Sequence, residues 1–76
     1  MRAQVVHIEK EVSYMSAGEK LRALRGKRSK LKVARDLGIS VSSYVKYERN
    51  ERNPKDSLKK RIADYFDVSV SYIFFD

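Results

Sequence analysis

Apolar positions recur along most of this chain at the three- and four-residue intervals of helices that bury one face. Leu21 and Leu24 share a face behind Ser16-Ala-Gly-Glu19. Val33, Ala34 and Leu37 repeat the interval ahead of Gly38, and Leu58, Ile62, Tyr65 and Phe66 form a longer stripe further on. Residues 1–15 differ. Val6, Ile8, Val12 and Tyr14 alternate as in a strand, while Val5, Ile8, Val12 and Met15 fit a helix equally well. The β-branched bias tips this segment toward a strand. A lone strand needs a partner, so two readings stand: an arm paired with a second subunit, or a mobile leader.

Capping chemistry sets the bounds of the helices. Ser16 and Glu19 form a capping box that opens a helix over about 17–25, and Gly26 ends it. Ser29 caps a second helix that stops at Gly38. Ser40 caps a third through about Arg49, where Asn50 tolerates positive φ better than any residue but glycine. Asn53-Pro54 reads as a cap with proline at the first helical position, opening a fourth helix that runs to about Phe66. Ser69 caps a short last helix carrying Tyr72, Ile73 and Phe74. The expectation is an all-α fold: a compact five-helix domain over residues 16–76 behind an arm, residues 1–15, that is strand or irregular.

Charge adds a partner to this picture. The 76 residues hold 17 Lys and Arg against 10 Asp and Glu, a net charge of +7. From Lys20 to Arg61 there are 15 basic and 4 acidic residues, so the excess lies in the middle of the chain. A polyanion is the partner that such a stretch attracts, and nucleic acid is the commonest one. The bland reading is a solvated basic surface. With no cysteine, disulfides are excluded, and His7 has no Cys or His partner for a zinc site. A domain this small is stable by only a few kcal/mol, so dimerisation is a natural support. The short apolar run in residues 1–10 is neither a signal peptide nor a membrane span, and a cytoplasmic protein is expected.

The decisive stretch is Lys30-Leu-Lys-Val-Ala-Arg-Asp-Leu-Gly-Ile-Ser-Val-Ser-Ser-Tyr-Val-Lys-Tyr-Glu48. Two short helices crossing steeply need a small residue at the approach, supplied by Ala34, and a sharp turn, supplied by Gly38. Val33, Leu37, Ile39, Tyr44 and Tyr47 are placed to seal the crossing. From about Ser16 to Phe75 the chain resembles the Cro/cI-type (Xre) helix-turn-helix domains of phage and bacterial repressors. Lys46-Tyr47-Glu48 followed by Arg52-Asn53-Pro54, and Ile62-Ala63-Asp64-Tyr65-Phe66-Asp67-Val68-Ser69, match that family's exit from the recognition helix and its fourth-to-fifth helix junction. Three departures stand out: the Gly26-Lys27-Arg28 link is short, Lys30 replaces a usual glutamine, and Tyr44 fills a site commonly Ile, Val or Leu.

The resemblance implies a motif over about 30–49, a recognition helix over about 40–49, and binding to a double-stranded DNA operator by a symmetric homodimer. By position, Val41, Ser42 and Lys46 then meet base edges, where a thymine methyl, a hydroxyl-matched group and guanine O6/N7 suit them in turn. Lys30, Ser40, Ser43, Arg52 and Arg28 fall to phosphates, and Arg25 with Glu48 matches a structural ion pair between helices 1 and 3. Tyr72, Ile73, Phe74 and Phe75 exceed what one short helix buries, which makes them candidates for the dimer contact.

Other classes fare worse. The chain has no nucleophile–base set and no Gly-rich phosphate loop, so no enzyme, cofactor or small-molecule ligand is expected. Ser42 and Ser43 read better as groove residues than as nucleophiles. The main rival is a protein-interaction module, such as an antitoxin or a repressor partner. Its third helix would be more apolar and less flanked by cations than one with Val41 and Val45 among Lys46, Arg49 and Arg52. Excisionase-like or restriction-controller binding would share the chemistry and differ in biology.

Overall fold

A computed structural model of the chain describes residues 15–74, as five helices: α1 Ala17–Arg25, α2 Lys30–Leu37, α3 Val41–Glu48, α4 Asp56–Tyr65 and α5 Val70–Phe74. The arm proposed for residues 1–15 lies outside this range except for Met15, and so does Phe75. The caps act as their residue types imply. Ser16 Oγ accepts from the Glu19 amide at 3.1 Å while Glu19 Oε1 accepts from the Ser16 amide at 2.8 Å, completing the capping box. Ser29 and Ser40 each accept from the amide three residues on, at 3.0 and 3.1 Å. The Ser69 hydroxyl accepts from the Tyr72 amide at 3.2 Å.

Helix α4 corrects the sequence reading. It starts at Asp56 with Lys55 at the cap position and no side-chain cap, not at Asn53-Pro54. Pro54 is instead buried in the link, where tertiary packing outweighs the local preference for a helix start.

Positive-φ residues follow each of the first four helices, at Gly26, Gly38, Asn50 and Asp67. Gly38 ends α2 at φ 75°, and the Ile39 amide closes back onto the Ala34 carbonyl at 3.0 Å. Asn50 does the same for α3 at φ 59°, with the Glu51 amide on the Lys46 carbonyl at 2.9 Å. Such a residue costs little strain where it is glycine or asparagine.

The core gathers Leu21, Val33, Ala34, Leu37, Tyr44, Tyr47, Ile62, Ala63, Ile73 and Phe74, so every helix contributes. Helix α3 packs on α1 and α2, α2 also touches α4, and α5 lies on α1 and α4. Gly18 permits the closest approach. A Cβ there would run into the Glu48 carbonyl, so only glycine lets the first turn of α1 meet the end of α3. Asn50 ties the same corner: its Oδ1 accepts from the Gly18 amide at 3.0 Å and its Nδ2 donates to Ser16 Oγ at 2.9 Å.

Lys20 is a buried cation in the seam between α1 and α5. Its Nζ donates to the Tyr72 carbonyl at 2.9 Å and lies 5.8 Å from the centre of the Tyr72 ring, so α1 and α5 are joined by more than apolar contact. Burial lowers its pKa from the ordinary lysine value.

Candidate nucleic-acid interface

The two long sides of α3 have opposite characters. Tyr44, Tyr47 and Glu48 are buried on the inner side, whereas Ser42 and Lys46, four residues apart and hence on one face, are exposed on the other. Val41 opens the helix at the edge of that outer face and is 39% exposed. The three residues predicted to meet bases are thus presented outward together, near the N-terminal end of a short helix.

Three basic residues of the motif and of the link that follows it stay uncommitted. Lys30 at the start of α2, Lys46 on α3 and Arg52 in the α3–α4 link are exposed, and no ion pair among the described residues engages them. Other basic residues are already committed: Arg49 pairs with Glu51 at 3.1 Å, Lys32 with Asp36 at 3.1 Å, and Lys60 with Asp64 at 3.5 Å. Such exposed pairs contribute little stability, but they remove charge from the field available to a polyanion. Ser40 and Ser43 sit at the foot of α3. The Ser40 hydroxyl accepts from the Ser43 amide and donates to Ser43 Oγ at 3.0 Å, so Ser43 keeps its own proton to donate outward.

Arg28 is placed differently from Lys30 and Arg52. Its guanidinium lies 5.4 Å from the Tyr65 ring centre and 5.5 Å from that of Phe66, on the last turn of α4 and its cap. Its carbonyl accepts from Arg25 Nη1 at 2.8 Å, and the Tyr65 hydroxyl donates to Asp36 at 2.8 Å. The short α1–α2 link is stitched to α4 by these contacts. That hydrogen bond, then Lys32, holds the Asp36 carboxyl below its ordinary pKa. Sequence spacing could not have shown this, because Arg28 and Tyr65 are brought together only by the packing of α2 on α4.

Behind the outer face, Arg25 and Glu48 form the pair that the family resemblance implied between helices 1 and 3. Arg25 Nε and Nη2 donate to the two Glu48 oxygens at 2.6 and 3.1 Å, a fork-on-carboxylate arrangement. Burial opposes ionisation of Glu48, but Arg25, then Tyr44 and the charge of Lys30, outweigh it and keep its pKa below the ordinary value. Arg61 donates to the Leu37 carbonyl at the end of α2, fastening the turn of the motif to α4. Sequence reasoning did not find Arg61, Gly18 or Lys20. The only available signal was Gly18 itself, a poor helix former inside a helix, which marks a close approach.

No helix among the described residues is long and apolar enough to cross a membrane, and no cluster there of three or more His, Cys, Asp or Glu could hold a metal ion. A family model described as helix-turn-helix matches residues 19–73, spanning all but the first residues of α1 and the last of α5. No curated protein and no solved structure matches the chain.

Proposed function

Because the chain belongs to the Cro/cI-type (Xre) helix-turn-helix family, whose domains bind DNA and regulate transcription, we propose that it is an operator-binding repressor of phage or mobile-element type. It acts in the bacterial cytoplasm as a homodimer. The observation that carries this reading is the outward face of α3, where Ser42 and Lys46 are exposed, with Lys30 and Arg52 in the elements before and after it also exposed and outside any ion pair among the described residues. The N-terminal end of α3 enters the major groove, where Val41, Ser42 and Lys46 read base edges. Lys30, Ser40, Ser43 and Arg52 hold phosphates, helped by the amides of the first turn of α4, which no side chain caps. Arg28 joins them at the edge of the site with whatever reach its aromatic seat leaves.

Two half-sites roughly 34–36 Å apart, one turn of duplex, fit a two-fold dimer. Tyr72, 40% exposed beside the buried Ile73 and Phe74, is the described residue that best suits a place in the dimer contact. Selection of bound duplexes from a random pool tests the reading directly. A related set of sequences should be enriched, with affinity falling steeply as salt rises. Enrichment of nothing, with no binding in dilute buffer, would overturn it. Sedimentation at high micromolar concentration, with and without the selected duplex, tests the dimer, and a monomer under both conditions would remove it.

A further inference from the structure

Tyr44 is the largest fully buried side chain among the described residues, and it stands on the inner side of α3, one turn before Glu48. Its hydroxyl is buried without a hydrogen-bond partner. Arg25 holds both oxygens of the neighbouring Glu48 carboxylate, and the Tyr44 hydroxyl lies close enough to that pair to act on Glu48 without closing a hydrogen bond to it. Burial, then that carboxylate, push the phenol far above its ordinary pKa, and it is neutral at any physiological pH. An orphaned buried hydroxyl costs stability, and a phenylalanine would fill the same space without that cost. Apart from the help its hydroxyl gives the Glu48 charge, what Tyr44 gives the fold is a property of the ring: a stiff plate with few rotamers, set between α3 and the helices beneath it.

We propose that Tyr44 is a positioning residue for base readout: its ring sets how far α3 stands off the core, and through that spacing where Ser42 and Lys46 meet the groove. The inference rests on the DNA-binding reading above. Protein interiors leave few voids, so a smaller side chain at this point lets the eight residues of α3 settle toward α1 and α2. Hydrogen bonds to base edges weaken steeply with small misplacement, whereas long flexible cations follow a phosphate through the same shift. The two kinds of contact should therefore respond differently to the loss of the ring.

The probes are a duplex selected from a random pool by the wild-type protein and a scrambled duplex of equal length. Tyr44→Phe should keep the ratio of the two affinities within about twofold. Tyr44→Leu should lower that ratio by about fivefold to a hundredfold, the range of one lost base contact, while binding to the scrambled duplex stays within about twofold. Tyr44→Met, which fills space without a rigid plane, should behave like Tyr44→Leu and carries the test should the leucine variant not fold. Ile73→Val, a core change on α5, supplies a destabilised protein whose ratio should not move. An unchanged ratio in the leucine or methionine variant overturns the inference. So does a Tyr44→Phe variant that loses as much as either, or an equal loss in Ile73→Val. A wild-type protein that enriches no sequence overturns the DNA reading itself, and this inference with it.

Discussion

The inner and outer sides of α3 solve opposite problems with similar residues. Inside, Glu48 is matched by a forked Arg25, Asn50 bonds with both ends of its amide, and glycine clears the approach of α1. Outside, Ser42 and Lys46 have no side-chain partner among the described residues, and Lys30 and Arg52 are likewise outside any ion pair there. The inner side is polar yet closed, so its residues, Tyr44 apart, report on folding. The outer side is polar and open, so its residues report on what the protein binds. One short helix can carry both because the period of the helix keeps the two sets apart.

Changes that act on one side alone would break or sharpen this contrast. The largest effect is expected from Arg25→Ala, which leaves the buried Glu48 carboxylate unpaired and should cost about 3–5 kcal/mol of stability in denaturant titration. The same pair governs acid behaviour. The folded pKa of Glu48 lies below its ordinary 4.5, so its contribution is present above that value and is lost as the pH falls through the folded pKa. Glu48→Gln should therefore flatten the loss of melting temperature below pH 4.5, and an undiminished acid slope would contradict the assignment. Gly18→Ala comes next, at about 1–3 kcal/mol of stability, because the added methyl group must push α1 off the Glu48 carbonyl. A variant as stable as wild type would show that this corner gives way freely.

On the outer side the readout changes from melting to binding. Lys46→Ala should cost about 1–3 kcal/mol of discrimination at one base pair in competition assays. Its stability should stay within about 0.5 kcal/mol of wild type. The smallest and most diffuse effect is expected from Arg52→Ala: weaker binding to every duplex and a salt slope shallower by about one unit. Equal losses on selected and random DNA for both variants would erase the division between base and phosphate residues.

Much of the fold was legible because its signals are local. Ser16, Ser29 and Ser40 each act within one turn, so their caps follow from residue type and spacing alone. Gly38 and Asn50 mark stops for the same reason. The start of α4 was misplaced because Asn53-Pro54 carries the right local chemistry at a point where burial of Pro54 decides the conformation. Within the site, the Arg25–Glu48 pair followed from family resemblance, since nothing within either helix joins residues 23 apart. The aromatic seat of Arg28 and the burial of Lys20 were not legible at all. Both place a cation, a residue type that is almost always exposed, against partners supplied by the far half of the chain.

The lysine bond from α1 to the Tyr72 carbonyl spans 52 residues. During synthesis α1 emerges long before its acceptor does, and α2, α3 and α4 must be made in the interval. Until α5 docks, the ammonium of Lys20 lacks that carbonyl and favours water over the seam. The domain is thus biased against settling in halves: its first and last helices are completed by the same event, and folding should await the C-terminal turn.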